Sequence, residues 1–528
     1  MEKHLRIFIK LTIIFLVISF VTSYSQNTPK IKKNILVNIF PGGRSHNFVV
    51  KELFDFSLKN SKEIEYVYHI LVHNVDKAAW PTDGPYKVYG YGDIHYYEEE
   101  FSKALDLVTK HPVFGFTRFN KAICHAYEEF LKSGLVEELK KIKFDMLITD
   151  IPNFISVFAR EYFEIEHSVY LSPPSVPNLF YNLFELNSTI LPAMGSYFFD
   201  EMNFFERFIN FFFVNGTKFM YRLFMNDMVN VFSKNGYELK WKVAHIFDSF
   251  FMIQYPKGFF FNVSFPPNII RLNAITPRPA KPLNNPQLDK FLNTYKKNVY
   301  CSQGTIVKII DFEKIIDLFN HFNNYGFVMS FKRELIAEEL LSKLPKNVFL
   351  TNWVNQNDLL GDERIHGFIT HGGTNSVSES LYHNKPMVVL GVTLDQINTA
   401  AVANKRKVGI VYHKVHEITL ENLIYGLEEI LKPEEENIYL KNAKEIGKLL
   451  RTNQDPREEF TYWIDYIFRL GYNHLLIKSY IEKSALEVNN YDVIGVMIVI
   501  LIVLFLLIKK LMICLFCSCK SPRHKLKK

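Results

Sequence analysis

The sequence predicts an α/β fold: two doubly wound, parallel-sheet domains followed by one C-terminal transmembrane helix. Three observations predict it. Short apolar runs rich in β-formers alternate with helical patterns in both halves of the chain, as expected of strands covered on both faces by crossover helices. A proline-rich break, ITPRPAKPLNNP at residues 275–286, separates the two alternations. Sixteen uncharged apolar residues, VIGVMIVILIVLFLLI at 493–508, follow the second, near the roughly 20 that cross a bilayer.

The elements follow in order. Lys3, Arg6 and Lys10 flank an apolar run at 11–21, and Ser23 and Ser25 are placed for cleavage before Gln26. This reads as a signal peptide over residues 1–25, the run being short for an uncleaved anchor. An N-terminal domain is expected over 26–274. NILVNIF (34–40), IEYVYHILV (64–72) and FDMLITD (144–150) are its strands, with a glycine turn and a helix from about His46 after the first. Residues 174–232 are very aromatic and helically periodic; they pack as core, line a ligand pocket or rest on a membrane surface. After the linker at 275–286, a C-terminal domain is expected over 287–455. Its strands are NVYCSQGT, GFVMSF, NVFLTNW, IHGFIT, MVVLG and GIVYH, with DFEKIIDLFNHF and TLENLIYGLEEIL among its helices. Helices over 456–490 lead to the membrane helix at 491–508, or to 517 if LMICLFC continues it, and then to a basic tail at 509–528.

Charge and cysteines narrow the setting. The chain of 528 residues is 48% hydrophobic, which excludes disorder. Its net charge of +7 is local. The tail alone carries seven basic residues and no acid, and the body is close to neutral, which argues against a nucleic-acid partner. Positive-inside reasoning places the tail in the cytosol and the body in the lumen, a type I arrangement. Glycosylation triplets beginning at Asn187, Asn215 and Asn262 agree. Cys124 and Cys301, the only cysteines of the body, fit no disulfide framework or zinc spacing; a single bridge between them is the one pairing open. Cys514, Cys517 and Cys519 are palmitoylation sites or inert thiols. No Gly-x-Ser-x-Gly elbow exists, which disfavours a serine hydrolase.

The chemistry concentrates between residues 353 and 400. The strand IHGFIT runs into His371, Gly372, Gly373, Thr374 and Asn375, and a helix follows over 376–382. Glycines before a helix N-terminus let backbone amides approach an anion, and the helix dipole favours a phosphate. Gly-Gly alone is equally an ordinary strand–turn–helix corner. The wider block is WVNQNDLL, FITHGGTNSVSESL, the Pro386 turn, and Asp395-Gln396 followed by Asn398. It resembles the signature of the UDP-glycosyltransferases, the family that includes the membrane-bound UDP-glucuronosyltransferases.

That resemblance implies the GT-B arrangement, in which two Rossmann-like domains face a cleft. The acceptor binds in the N-terminal half and the nucleotide sugar in the C-terminal half. Transfer requires a base for the acceptor proton, in-line positioning, and a stabilised diphosphate leaving group. His46, in PGGRSHNF, titrates in the range a neutral-pH base needs. By pattern alone, one loop histidine among 17 is more often a surface or capping residue; the resemblance makes it the catalytic base. It likewise makes Asp150, at the end of FDMLITD, the carboxylate that orients and stabilises the imidazole, and implies inversion at the anomeric carbon.

On the donor side the resemblance assigns Gly304 and Thr305, with His371, Gly372, Gly373, Thr374 and Asn375, to the phosphates. Trp353 and Gln356 go to the uracil, Glu379 to the ribose, and Asp395 and Gln396 to the sugar hydroxyls. Core packing for Trp353 and a solvated helix face for Glu379 are the plain alternatives. The sequence contains no Asp-x-Asp motif, and helix amides are able to hold a diphosphate alone, so no metal and no cofactor are expected beyond UDP-glucuronate or UDP-glucose as donor substrate. Four departures from the family pattern are expected to surround the sugar end of the donor site. They are Asn355 for proline, Lys385 for glycine, Gly391-Val392-Thr393-Leu394 before Asp395, and Ser330-Phe331 with Lys332 one place late.

The expected function is a membrane-anchored enzyme joining glucuronate or glucose to small lipophilic acceptors, a detoxifying conjugation. The terminal Lys525-Leu526-Lys527-Lys528 resembles an endoplasmic-reticulum retrieval signal in imperfect register. The alternatives are a catalytically weak relative that binds UDP-sugar or a partner and regulates active members, and a receptor with such an ectodomain, for which the tail is short. Membrane confinement is compatible with homo- or hetero-oligomers, which no residue pattern specifies.

Overall fold

The computed structural model describes residues 30–81, 83–110, 112–150, 155–173, 191–193, 195–239, 249–261, 265–302, 304, 312–391, 394–413, 417–476, 487 and 490–518. The expected signal peptide, the triplets at Asn187 and Asn262, Thr305 and the end of the basic tail lie outside them.

The described strands form two sheets. In the first, β1 (Ile31–Asn38), β2 (Ile64–His73), β3 (Lys87–Tyr91), β4 (Met146–Asp150), β5 (His167–Ser172), β6 (Phe250–Gln254) and β7 (Ile269–Leu272) lie in the order β3-β2-β1-β4-β5-β6-β7. In the second, β8 (Asn298–Ser302), β9 (Gly326–Ser330), β10 (Val348–Thr351), β11 (Ile365–Thr370), β12 (Met387–Leu390) and β13 (Gly409–Tyr412) lie in the order β10-β9-β8-β11-β12-β13. Every pairing is parallel. Both orders reverse direction once, between β1 and β4 and between β8 and β11. Ligands of open parallel sheets bind outside the carboxyl ends of the strands at such reversals.

Strand alternation builds the cores. In β1, Val37 pairs with Ile70 and Ile148 and faces one layer, while Leu36 faces the other. The second sheet divides likewise: Val299, Phe327 and Ile369 pack under the Phe312–His321 and Leu420–Ile430 helices. Tyr300, Phe368 and Val389 pack under the Thr374–Tyr382 and Ile438–Thr452 helices. Cys124 and Cys301 are both free thiols, so the bridge left open by the sequence is not formed.

Two features hold the halves together. The proline-rich linker is pinned rather than loose: the Ile275, Arg278 and Lys281 amides donate to Gln254, Asn357 and Asp358. The Pro456–Leu470 helix, expected to lead toward the membrane, returns to the first domain. Its Phe460, Ile464 and Ile467 are fully buried in one core layer of the first sheet, with Phe460 against Phe54. Phe460→Ala is therefore expected to destabilise the N-terminal domain by about 3–5 kcal/mol, which thermal unfolding of the full chain would read as a lowered transition.

The Tyr491–Ser518 helix contains a 23-residue span, Tyr491–Ile513, within which an 18-residue window reaches a mean hydropathy of 3.0 with no part of it buried in the body. Its length and composition fit a transmembrane helix.

Candidate active site

His46 stands where the first sheet reverses. β1 ends at Asn38, and a glycine turn then starts the Arg44–Asn60 helix. Gly42 takes a φ of +76°, and an added Cβ would lie 3.2 Å from the Tyr97 ring, so this turn requires glycine. Asn47 donates to the Gly43 carbonyl at 2.9 Å and accepts from the Trp80 indole at 2.6 Å, fixing the first helical turn. Asp150 closes β4, the neighbour of β1 across the reversal.

His46 Nδ1 lies 2.6 Å from Asp150 Oδ2. Asp150 is almost fully buried, whereas the His46 side chain keeps 19% of its exposure. A carboxylate only accepts, so Nδ1 carries the proton, and the other ring nitrogen, Nε2, is left as the basic atom. Burial pulls the His46 pKa down. The Asp150 charge and its hydrogen bond push it up, with smaller help from Asp395 and Asp76, and the net result is above the ordinary 6.5. The position near a helix N-terminus opposes the imidazolium, but a charge in hydrogen-bond contact outweighs a dipole.

The second reversal carries the glycine loop. Gly304, just past β8, takes a φ of +78°, and an added Cβ would lie 2.8 Å from the His371 ring. The β8 and β11 loops thus meet at the imidazole of His371. Burial lowers the His371 pKa to about 4, and its buried Nδ1 has no hydrogen-bond partner among the described residues. Gly373 is the N-cap of the Thr374–Tyr382 helix and supplies no side-chain acceptor to its first-turn amides. A neutral imidazole and uncapped amides at a helix N-terminus make a site for an anion.

The two reversals face each other across a cleft. Gln254, at the end of β6, donates to Asn375 Oδ1 at 2.8 Å. Asp395, at the start of the Leu394–Lys405 helix, acts electrostatically on His46. Burial raises the Asp395 pKa, and His46 lowers it. A base thus stands opposite an anion-binding loop in a doubly wound pair.

The family model for UDP-glucoronosyl and UDP-glucosyl transferase matches residues 35–527. The chain belongs to this family. Among its relatives, UDP-glucuronosyltransferase 3A1 of Xenopus laevis is 25% identical over 399 residues, 72% of this chain and 71% of the relative. UDP-glucuronosyltransferase 2B15 of Homo sapiens is 23% identical over 480 residues, 82% and 84% of the two chains. Among solved structures, a UDP-glucose: anthocyanidin 3-O-glucosyltransferase in complex with UDP aligns with a TM-score of 0.56 at 16% identity. The alignment covers 84% of this chain and all of that one. The glycotransferase of kitacinnamycin aligns at 0.57, covering 84% and 99%. The fold is GT-B, and the protein is a hexosyltransferase of the UDP-glucuronosyltransferase kind.

The sequence also assigns Gln356, Glu379, Trp353 and Gln396 to the donor side of this glycosyltransferase. Gln356 Nε2 donates to Glu379 Oε2 at 2.8 Å and to Ser376 Oγ at 3.1 Å. Glu379 is buried, not on a solvated face, and burial raises its pKa against the pull of Gln356 and Arg278. Trp353 is not core: it is 72% exposed and offers an open ring face. Gln396 stands beside Asp395 on the helix that runs past the cleft.

The departures from the family pattern separate. Asn355 caps the Gln356–Gly361 helix by accepting from the Asp358 amide, so a side-chain cap stands where a proline was expected. Phe331 packs on Phe312. Lys385 corrects an expectation: it is not at the sugar end. Its ammonium donates to the Asp362 and Ile365 carbonyls, at the start of β11, a strand length of about 20 Å from the loop after its last residue. There burial lowers its pKa to about 8.

Three site residues were missed by sequence reasoning. Asp76 accepts from the Gly42 amide at 2.6 Å, bracing the turn before His46; burial raises its pKa to about 6. Gln254 bridges the domains. Asn398, quoted only as part of the signature, donates to the Ala193 and Ser196 carbonyls and accepts from the Gly195 amide. It ties the helix of Asp395 to the N-terminal half. Only Asn398 carried a signal, its place beside Asp395-Gln396.

Proposed function

We propose that this chain moves glucuronate or glucose from a UDP-sugar to a hydroxyl of a small lipophilic acceptor, with inversion and without a metal. The observation that carries the reading is the 2.6 Å His46–Asp150 pair at one sheet reversal, opposite the His371–Asn375 loop at the other. In this reading His46 Nε2 takes the acceptor proton as its oxygen forms the bond to the anomeric carbon. The bond from that carbon to the diphosphate breaks, and UDP leaves with the electron pair. Asp150 holds the tautomer and stabilises the imidazolium. The uncapped amides of Thr374 and Asn375, with His371, Gly304 and Thr305, receive the developing phosphate charge. Trp353 stacks on the uracil, Gln356 pairs with it, and Glu379 takes the ribose hydroxyls. Asp395 and Gln396 hold the sugar. The Tyr491–Ile513 helix anchors the enzyme in the endoplasmic-reticulum membrane with the body luminal.

Membranes containing the chain, given UDP-glucuronate or UDP-glucose with mixed phenols and steroids, are expected to yield conjugates detectable by mass, and the productive donor names the sugar. EDTA is expected to leave the rate unchanged; a loss restored by added magnesium would refute metal independence. UDP binding without transfer from either donor would instead support the regulatory relative.

A further inference from the structure

Glucose and glucuronate differ at one ring substituent, a hydroxymethyl group in the first and a carboxylate in the second. A site built for glucuronate supplies positive charge or unpaired N–H groups to that carboxylate. The charges around Asp395 run the other way.

The helix that carries Asp395 and Gln396 begins at Leu394. An open helix N-terminus favours an anion, as at Gly373. This one is answered from within: the Asp395 carboxylate accepts from its own backbone amide and from that of Gln396. Asp395 therefore presents acceptor oxygens, which suit sugar hydroxyls. Two further carboxylates share the cleft. Asp150 lies 2.6 Å from His46, and Asp76 holds the Gly42 amide. All three act on the His46 ring, and Asp150 acts on Asp76. Asp76 Oδ1 is buried with no hydrogen-bond partner among the described residues. Burial raises the pKa of Asp76 to about 6 and raises that of Asp395. The cleft thus holds more negative charge than its surroundings stabilise.

The cations stand elsewhere. Among the described residues, His46 is the only basic group that acts on Asp395. Arg44 is ion-paired with Glu98 at 3.0 Å. Lys385 lies at the far end of β11. Lys332 follows β9, which the strand order places three strands from β12, about 14 Å across the sheet. It stands on the side of Trp353, which follows β10, whereas Asp395 follows β12. His413, just past β13, is neutral near pH 7, because burial lowers its pKa.

We propose that the donor is a UDP-sugar with an uncharged hexose, glucose or an epimer of it, and that Asp395, Asp76 and Asp150 exclude uronate donors. The inference rests on the donor-site reading above, in which Asp395 and Gln396 hold the sugar. A uronate carboxylate would then lie within the width of one sugar ring of Asp395. It would face a like charge, or force Asp395 or Asp76 to take up a proton, and either weakens binding. Two like charges that close inside a protein cost about 10- to 100-fold in affinity. An uncharged hexose meets no such penalty. The same carboxylates favour the positive charge that develops on the sugar ring as the diphosphate leaves.

The test is calorimetric binding of UDP, UDP-glucose and UDP-glucuronate to the purified full chain in lipid nanodiscs near pH 7. UDP-glucose is expected to bind about tenfold or more tightly than UDP-glucuronate. Asp395→Asn keeps an acceptor and removes the charge, so the ratio of the two affinities is expected to fall by about tenfold. A hydrogen bond lost to a hydroxyl that both sugars carry cancels in that ratio, as does any unfolded fraction. Asp76→Asn, still able to accept from the Gly42 amide, is expected to lower the ratio by a smaller step. Equal affinities in the parent, or tighter binding of UDP-glucuronate, would overturn the proposal and leave the donor-site reading standing. A preference for UDP-glucose that neither variant reduces would also overturn it, since shape and not charge would then set the preference. A parent that does not bind UDP would refute the donor-site reading, and the inference with it.

Discussion

His46→Ala is expected to lower kcat/KM by about 10²- to 10⁴-fold, the usual weight of a positioned base, while UDP affinity stays within about twofold. The two readouts separate because His46 belongs to the first sheet and the loop proposed to hold the phosphates, His371–Asn375, to the second. The pH profile adds a sharper check. A base works when unprotonated, and the Asp150 charge and hydrogen bond hold the His46 pKa above 6.5 despite burial. Activity should therefore fall on the acid side at a pH above that value. Asp150→Asn removes the charge, so the remaining activity should have its acid limb displaced to lower pH. Its rate should also fall steeply, because nothing then fixes the proton on Nδ1. A His46→Ala enzyme within about tenfold of the parent would remove His46 from the base role. An Asp150→Asn limb that does not move would remove Asp150 from contact with the titrating group.

Glu379→Gln is expected to weaken UDP-sugar binding and to stabilise the empty protein. Hydrogen bonds to a charged group are worth about 1.5–3 kcal/mol, so losing the carboxylate proposed to hold the ribose should cost roughly 10- to 100-fold in affinity. Stability moves the other way. Burial raises the Glu379 pKa in the fold, so the folded state binds the proton more tightly than the unfolded chain does. Stability then decreases as pH rises from the ordinary carboxylate value through the raised one. Glutamine removes that cost at neutral pH and is still able to accept from Gln356. Calorimetry without ligand should show a raised transition near pH 7 and little change near pH 4. A variant less stable at pH 7, with unchanged UDP affinity, would make Glu379 a structural residue only.

Much of this was legible because local pattern and position coincide. The strands around Val37, Ile148 and Ile369 read as apolar runs. His46, Asp150 and the glycines after β11 stand at strand ends, where a sequence shows them as breaks in hydrophobicity. What was not legible depends on distance in the chain. Asp76 reaches Gly42 from another strand end, and Gln254 meets Asn375 across 121 positions. Neither has a neighbour in sequence that betrays its partner. Lys385 read as part of the sugar site because it is near Asp395 in sequence, yet it lies at the other end of its neighbouring strand. The Pro456–Leu470 helix shows an apolar face in sequence, but a face does not name the sheet it covers.

The return of that helix has a consequence for how the molecule is made. Phe460, Ile464 and Ile467 complete a layer begun by residues some four hundred positions earlier. A chain emerging from the ribosome cannot close its first domain and then build its second, the order in which domains usually mature. The first sheet must wait, one apolar face only partly covered by the Arg44–Asn60 helix, until nearly the whole body has been synthesised. Nascent chains stopped before residue 456 should therefore engage chaperones and aggregate rather than accumulate as folded halves.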